Sequence, residues 1–214
     1  MEKLKPALVL ACLLLCSCQS AYYGTMEKFG VHKRDILVDR VEEGREAQEE
    51  AKEQFESTFE EFLAVSEVEV SELKSTYDRL NRAYNRSEER AKEVREKVEA
   101  IDDVAEALFE EWEEELEQYS SPELRRISEE QLEETRELAE KLIAAMNQAA
   151  SRMDPVLTAF RDQTLFLKHN LNAQAIAALN KTSIALRDEV NVLIRQMEES
   201  IAEANAFVAQ MRAE

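Results

Sequence analysis

The chain has 214 residues, a formal net charge of −19, and three glycines and three prolines. A surface this acidic repels phosphate backbones, which argues against a nucleic-acid partner and against a broad face that binds anionic lipids. So few glycines and prolines leave room for few turns, and a hydrophobic content of 44% argues against a disordered chain.

The chain starts with the pattern of a secretory signal peptide. Two lysines precede an apolar run at residues 7–15 that is too short to span a bilayer. Residues 15–18 read Leu-Cys-Ser-Cys, an order that resembles the bacterial lipobox. We therefore predict that residues 1–17 are a lipoprotein signal peptide that is removed, that Cys18 is lipidated, and that residues 18–30 form a lipidated linker. The alternatives are an ordinary cleavable signal with incidental cysteines, or an uncleaved membrane stub.

Lipidation of Cys18 would determine where in the cell the protein is located. Several acyl chains, at roughly 0.8 kcal/mol per buried CH₂, make membrane attachment effectively permanent. Bacterial lipoproteins with Asp after the cysteine tend to stay at the inner membrane, whereas this chain has Gln19. The expected location is therefore the periplasmic face of the outer membrane, with the inner membrane less expected. The mature chain would keep no thiol for a disulfide.

The rest of the chain has the apolar spacing of long helices. Apolar residues alternate steps of three and four from Leu73 to Tyr119, and the same spacing recurs in two later stretches and, more weakly, in one earlier stretch. A sustained 3.5-residue repeat is typical of supercoiled helices, and further apolar residues beside it, such as Ile184, favour a bundle of three or four. We predict an all-α fold: an elongated antiparallel bundle of four long helices with coiled-coil heptads, forming one domain at 31–214. The predicted helices are 31–64, 71–119, 122–168 and 173–211.

The helix boundaries differ in how clearly the sequence marks them. Ser121 can cap a helix that has Pro122 at its first position, and Asn172 can cap the last helix. The turn near 64–70 has no turn-like residues, so a continuous helix is the alternative there. Pro155 lies inside the third helix, where the preserved spacing favours a kink and a full break is the alternative.

The order of the helices predicts which turns lie together. Short connections make neighbouring helices antiparallel, and the first helix leaves the membrane. The turns near 64–70 and 168–173 would then lie at the end far from the membrane, while the turn at 120–122 and the C-terminus return toward it.

The sequence contains no recognisable catalytic or metal-binding motif. His32 and His169 do not belong to an HExxH or Glu-x-x-His arrangement, so we interpret both as ordinary polar positions. The acidic run Glu110–Glu115 could attract a divalent cation, but consecutive helical carboxylates point around the axis, which favours a solvated helix end. Lys28, with the neighbouring pair at residues 33–34, is a candidate for contact with lipid headgroups, with a solvated helix start as the alternative. We predict no catalytic residue, no cofactor and no metal.

Parts of the sequence resemble a family of helical proteobacterial lipoproteins catalogued as domain of unknown function 2959. Three stretches carry the resemblance: Met26–Val38 with its continuation to Gln48, Asp103–Glu113, and Leu167–Ala175. The similarity would cover about residues 22–211. It departs at 67–70, where the family has an Asp-Gly-Gly type of loop and this chain has Glu-Val-Glu-Val. The resemblance implies a lipoprotein and brings no known activity, ligand or catalytic residue.

Three function hypotheses follow. The leading one is a non-enzymatic, lipid-anchored structural or interaction protein of the bacterial cell envelope, whose far-end turns contact an envelope protein or another copy of the chain. The second is a helical bundle that binds a lipid or another small apolar ligand in its core. The third, and least expected, is an enzyme that acts on peptidoglycan, because a slim bundle supplies few clefts.

Overall fold

The computed structural model describes residues 32–213, and their fold confirms the all-α prediction. Four helices are found: α1 (Lys33–Leu63), α2 (Leu73–Leu116), α3 (Pro122–His169) and α4 (Ala173–Ala213). None of the helices in this part of the chain is long and apolar enough to cross a membrane. The predicted signal peptide, the Cys18 lipidation site and the linker at 18–30 lie outside the described residues. Of the predicted basic patch, residues 33 and 34 are described and Lys28 is not.

The four helices form an antiparallel bundle in which each packs against two neighbours. Glu43 of α1 accepts a hydrogen bond from Lys97 of α2 at 2.9 Å, and Glu50 pairs with Arg90 at 2.6 Å. Residue numbers therefore rise along α1 as they fall along α2, which shows that the two helices run in opposite directions. Two pairs show the same order between α1 and α4: Arg45 with Asn205, and Lys52 with Glu198. The expected up-down-up-down order is therefore found.

The residues predicted to face the core do so with few exceptions. All of the predicted positions in α3 are buried: Leu132, Thr135, Ala139, Leu142, Met146, Ala149, Met153, Val156, Phe160, Gln163 and Leu167. The exceptions are the last two positions of the three-four spacing in α2, Glu115 and Tyr119. Both are exposed because α2 ends at Leu116, which takes the buried position instead. Ile184 is 54% exposed, so its assignment to a widened core stripe was wrong.

The connection between α1 and α2 is a true turn, so the alternative of a continuous helix is wrong. Two short 3₁₀ helices, Ala64–Glu67 and Val70–Glu72, flank an extended pair of residues. Val68 and Glu69 have φ of −84° and −75°, values that any residue adopts. The turn therefore needs no glycine, which is why its sequence does not look like a turn. Val65 is fully buried beneath it.

α3 continues without interruption through Pro155, so the alternative of a full break is wrong. Proline has no N–H to donate to the carbonyl of Ser151. Both residues are exposed, so water can reach that carbonyl. The Ser151 hydroxyl itself donates to the carbonyl of Asn147 at 2.8 Å. A missing hydrogen bond on the solvent side is therefore tolerated without ending the helix.

The predicted helix caps are found, and a buried glycine allows two helices to approach closely. The hydroxyl of Ser121 accepts from the amide of Leu124 at 3.4 Å, and the side-chain oxygen of Asn172 accepts from the amide of Ala175 at 3.1 Å. The buried Gly44 marks a close approach of α1 to its neighbours. A Cβ atom added there would lie 2.7 Å from Cδ1 of Ile101 on α2.

Glu43 gives the stability of the bundle a dependence on pH. Hydrogen bonds from Lys97 at 2.9 Å and Arg40 at 2.8 Å hold the pKa of its carboxyl below the ordinary value. A lowered folded-state pKa contributes stability above the unfolded pKa, and this contribution is lost as pH falls through the folded pKa. Because the Glu43 side chain is 41% exposed, the contribution is modest.

We expect Glu43→Gln to lower the free energy of unfolding by about 0.5 kcal/mol near neutral pH and by almost nothing at about pH 3. Urea denaturation of both proteins at the two pH values measures this. Glu49→Gln is the control, since Glu49 forms no ion pair with another residue of the 32–213 region. An equal loss of unfolding free energy for Glu43→Gln at both pH values would contradict the lowered pKa of Glu43.

Candidate functional site

Two turns lie together at the distal end, which we define as the end of the bundle opposite the start of α1. The stacked rings of Phe62 and Phe160, with centroids 4.8 Å apart, join α1 to α3 beneath these turns. The centroid of the Phe55 ring lies 6.2 Å from that of the same Phe160 ring. The 3₁₀ helix Ala64–Glu67 packs against α4. The distal end is therefore a packed structure and holds its surface residues in fixed places.

Polar side chains in the core fix the rotation of the helices near this end. Ser183 of α4 donates to the side-chain oxygen of Gln163 on α3 at 2.8 Å, and the Thr58 and Ser87 hydroxyls of α1 and α2 lie 2.9 Å apart. All four side chains are buried. A buried hydrogen bond is lost if either helix turns about its axis, so these pairs define which residues face outward.

Large apolar side chains are exposed at the distal end. Of the eight such residues on the described surface, five lie in the distal turns or in the parts of α3 and α4 near them: Val70, Leu165, Phe166, Leu171 and Ile184. The other three, Tyr119, Leu124 and Ile127, lie around the α2–α3 turn at the proximal end. The turn that carries Leu171 is itself ordered, because Asn170 donates from its side chain to the carbonyl of Phe166 at 2.8 Å. Exposed apolar side chains held on ordered backbone are typical of surfaces that contact another molecule.

The net charge is unevenly divided along the bundle. Residues 50–90 and 152–198, which form the distal half beyond the Arg90–Glu50 and Lys52–Glu198 pairs, contain twelve lysines and arginines and sixteen acidic residues. Residues 99–140, around the α2–α3 turn, contain seventeen acidic and three basic residues. Most of the excess negative charge of the protein therefore lies around the α2–α3 turn, at the proximal end where α1 begins.

The distal charges are also separated by sign. The turn at 64–72, which we call the acidic turn, contains three glutamates and no lysine or arginine. The stretch at 163–187, which we call the basic segment, contains three basic residues and His169 but no acidic residue. Sequence reasoning did not single out this segment, although the absence of acidic residues over that length is readable in so acidic a chain.

The proximal end has a different surface. The indole of Trp112 donates to the hydroxyl of Ser128 at 2.8 Å and is half-buried, and Lys33 pairs with Glu111 at 2.9 Å. A groove of about 470 Å³ runs between the start of α1 and the end of α2 and is lined by these residues: His32, Lys33, Arg34, Leu108, Glu111, Trp112 and Glu115. Arg34 donates to the carbonyl of Met211, so it ties the start of α1 to the end of α4.

The acidic run at 110–115 spreads around α2, as its helical spacing predicts. Glu111 faces α1 through its pair with Lys33, whereas Glu113 pairs with Arg136 of α3 at 2.6 Å. Glu110 and Glu114 line a shallow acidic groove of about 490 Å³ together with Glu113 and Glu117. Between residues 32 and 213, no group of three or more histidine, cysteine or acidic side chains is arranged to hold a metal ion.

The structure does not bring the remaining candidate residues together. His32 is the exposed N-cap residue of α1, and its carbonyl accepts from two backbone amides. His169 is exposed at the last residue of α3, at the opposite end of the bundle. Cys18 and Lys28 lie outside the described residues. Two surface features remain, the exposed apolar residues of the distal end and the acidic residues around the α2–α3 turn.

These features define the protein as an all-α, antiparallel four-helix bundle with chemically different ends. The chain belongs to the family described as protein of unknown function DUF2959, whose model matches residues 22–211. Neither the curated proteins nor the solved structures contain a match to this chain. The family assignment agrees with the resemblance carried by the three sequence stretches.

Proposed function

We propose that this protein is a lipid-anchored structural or interaction protein of the bacterial cell envelope, without enzymatic activity of its own. Its membrane attachment is through acyl chains on Cys18, and its location is the periplasmic face of the outer membrane. The distal end then lies at the end of the bundle opposite the anchored start of the chain, where it contacts a protein partner.

The observation that carries this proposal is the concentration of exposed apolar residues at the distal end. Phe166 and Leu171 are each more than 40% exposed, although both lie on ordered backbone. Exposure of large apolar groups in water is unfavourable by about 25 cal/mol per Å², so contact with a partner would stabilise this surface. The distal half also carries a much smaller excess of negative charge than residues 99–140, so it repels an acidic partner less than the proximal end does.

The lipobox-like sequence supports the anchoring part of the proposal. In this sequence Cys18 follows a small residue, Ser17, whereas Cys16 follows the bulky Leu15. A cysteine preceded by a small residue fits the pattern in which the signal peptide is cut just before the acylated residue. Cys16 is therefore a matched control of the same residue type, two positions away.

We expect Cys18→Ser to abolish incorporation of labelled palmitate into the protein and to release the protein from the envelope fraction. Cys16→Ser should keep both the label and the membrane association. The measurement is metabolic labelling in a diderm host, followed by fractionation of the inner and outer membranes. Palmitate incorporation that survives Cys18→Ser, or that is lost in Cys16→Ser, would contradict the assignment of Cys18.

A further inference from the structure

We propose that two copies of this chain associate tip to tip through their distal ends. In this arrangement the acidic turn at 64–72 of each copy faces the basic segment at 163–187 of the other. Two copies anchored in one membrane would lie along its surface, with their anchors at the two outer ends. This inference rests on the proposed function, because it takes the distal surface to be the one that contacts a partner. It does not depend on the lipid anchor.

The charged side chains of the two distal surfaces form no ion pair within residues 32–213. They are the acidic Glu67, Glu69 and Glu72, and the basic Lys168, Lys181 and Arg187. All six are exposed, and none forms an ion pair with another residue of the 32–213 region. In the middle of the bundle, by contrast, charged residues pair between helices, as Arg90 does with Glu50. The distal charges are therefore available to a second molecule.

The two charged surfaces are adjacent, which a symmetric contact requires. The carbonyl of Phe62, which precedes the acidic turn, lies 3.5 Å from the Ser183 hydroxyl in the basic segment. The first 3₁₀ helix of the acidic turn packs against α4. Two neighbouring patches of opposite charge are self-complementary about a two-fold axis, because rotation places each patch opposite its complement. A second copy of the chain therefore satisfies both patches at once.

The basic segment also supplies apolar contact area. Leu165, Phe166, Leu171 and Ile184 are all exposed within it, and Val70 is exposed in the acidic turn. Apolar residues at the centre of an interface contribute most of its stability, while charged residues around them set its orientation. The distal end has both components on the same surface.

The uneven net charge favours this orientation over a parallel side-by-side one. α2 has 44 residues, which gives a length of about 65 Å at 1.5 Å per residue. Tip-to-tip contact holds the two acidic regions at 99–140 on the order of 100 Å apart, many times the Debye length of about 8 Å at physiological salt. Parallel side-by-side contact would instead place these regions against each other.

An anionic membrane fits the distal end less well than a second copy does. The basic segment alone could attract anionic lipids, because it combines basic and exposed apolar residues. However, the acidic turn lies beside it and would be repelled by the same lipid surface. Only a partner with both signs of charge complements the two patches together.

Charge reversal with rescue tests the pairing. We expect Lys168→Glu with Lys181→Glu to raise the dimer dissociation constant of the mature lipoprotein at least about tenfold, and Glu67→Lys with Glu69→Lys to do the same. An equimolar mixture of the two double variants should regain association, since each altered patch then faces its complement. Sedimentation in detergent measures all three samples, and far-ultraviolet circular dichroism checks that each variant is folded.

Distance measurement between spin labels tests the orientation. A label at Asn172→Cys should lie within about 30 Å of its copy in the dimer, while a label at Ser120→Cys should be beyond the measurable range, at roughly twice the helix length. The unsubstituted chain is labelled in the same way as a control. It measures the background signal from labels on any thiol that remains at positions 12, 16 and 18. Short distances at both positions would indicate a side-by-side dimer and overturn the proposal.

Two further results would also overturn the proposal. One is a monomer at all concentrations reached, with no change in any variant. The other is binding to anionic phosphatidylglycerol vesicles that the Lys→Glu variant loses and the Glu→Lys variant strengthens, without association in solution. Failure of the Cys18 labelling test would leave these measurements unaffected, because they require a folded bundle and not an acyl chain. The two failures are therefore distinguishable.

Discussion

Replacement of Phe160 by alanine is expected to lower the free energy of unfolding by about 3–5 kcal/mol. Phe160 is fully buried and stacks on Phe62 at 4.8 Å with an interplanar angle of 3°, and it also contacts Phe55. Alanine would remove the ring that joins α3 to α1 and would leave a cavity between helices that cannot close fully. Urea denaturation of the mature chain, followed by circular dichroism, gives the difference.

Phe166→Ala is the matched control for this prediction. Phe166 lies on the same helix six residues later, but its side chain is 41% exposed. We expect its replacement to change the free energy of unfolding by less than about 1 kcal/mol in the monomer. Equal losses at the two positions would show that the aromatic cluster at 55–62 and 160 does not hold the distal end together.

Replacement of Gln48 by leucine is expected to raise the free energy of unfolding by about 1–3 kcal/mol. The Gln48 side chain is fully buried in the core, and neither atom of its amide has a hydrogen-bond partner in the described part of the chain. The hydroxyl of Ser200 is buried without a partner as well. The two belong to the same level of the bundle, because the ion pair of Lys52 with Glu198 lies beside both.

Gln163→Leu is the corresponding control and should have the opposite sign. Gln163 is also a buried glutamine of the core, but its oxygen accepts from Ser183 at 2.8 Å. Leucine there would leave the Ser183 hydroxyl without its side-chain partner, so we expect a loss of about 1–2 kcal/mol. A loss of stability in Gln48→Leu as well would mean that ordered water satisfies the Gln48 amide.

Much of the fold follows from the sequence, because a few residues determine it directly. Ser121 with Pro122 and the capping Asn172 mark helix starts by chemistry that acts over one turn of helix, so both boundaries were predictable. The 3.5-residue spacing of apolar residues gave the buried face of each helix for the same reason: burial of one face is the main contribution to bundle stability.

The parts that could not be predicted depend on several helices at once. The turn at 64–72 is built from ordinary backbone angles, so Val68 and Glu69 carry no local signal. Whether Ile184 is buried depends on how far α4 turns toward its neighbours, which its own apolar spacing does not determine. Pro155 is compatible with a helix because it faces water, and the sequence alone left that open.

The surfaces at the distal end were partly predictable. The order of the helices placed the turns at 64–70 and 168–173 at one end, and the structure confirms that they lie together. The separation of charge into an acidic turn and a basic segment was present in the sequence. It gains meaning only when the fold brings residues more than a hundred positions apart onto one surface.

The division of charge gives the molecule an electric dipole along its long axis. Its acidic residues at 99–140 would be the first to settle on a positively charged bead or electrode, and the less acidic distal half would then stand away from the support. The protein would orient itself on such a surface without an affinity tag. A layer prepared in this way presents one chemically uniform end to solution, which is a practical starting point for finding what binds there.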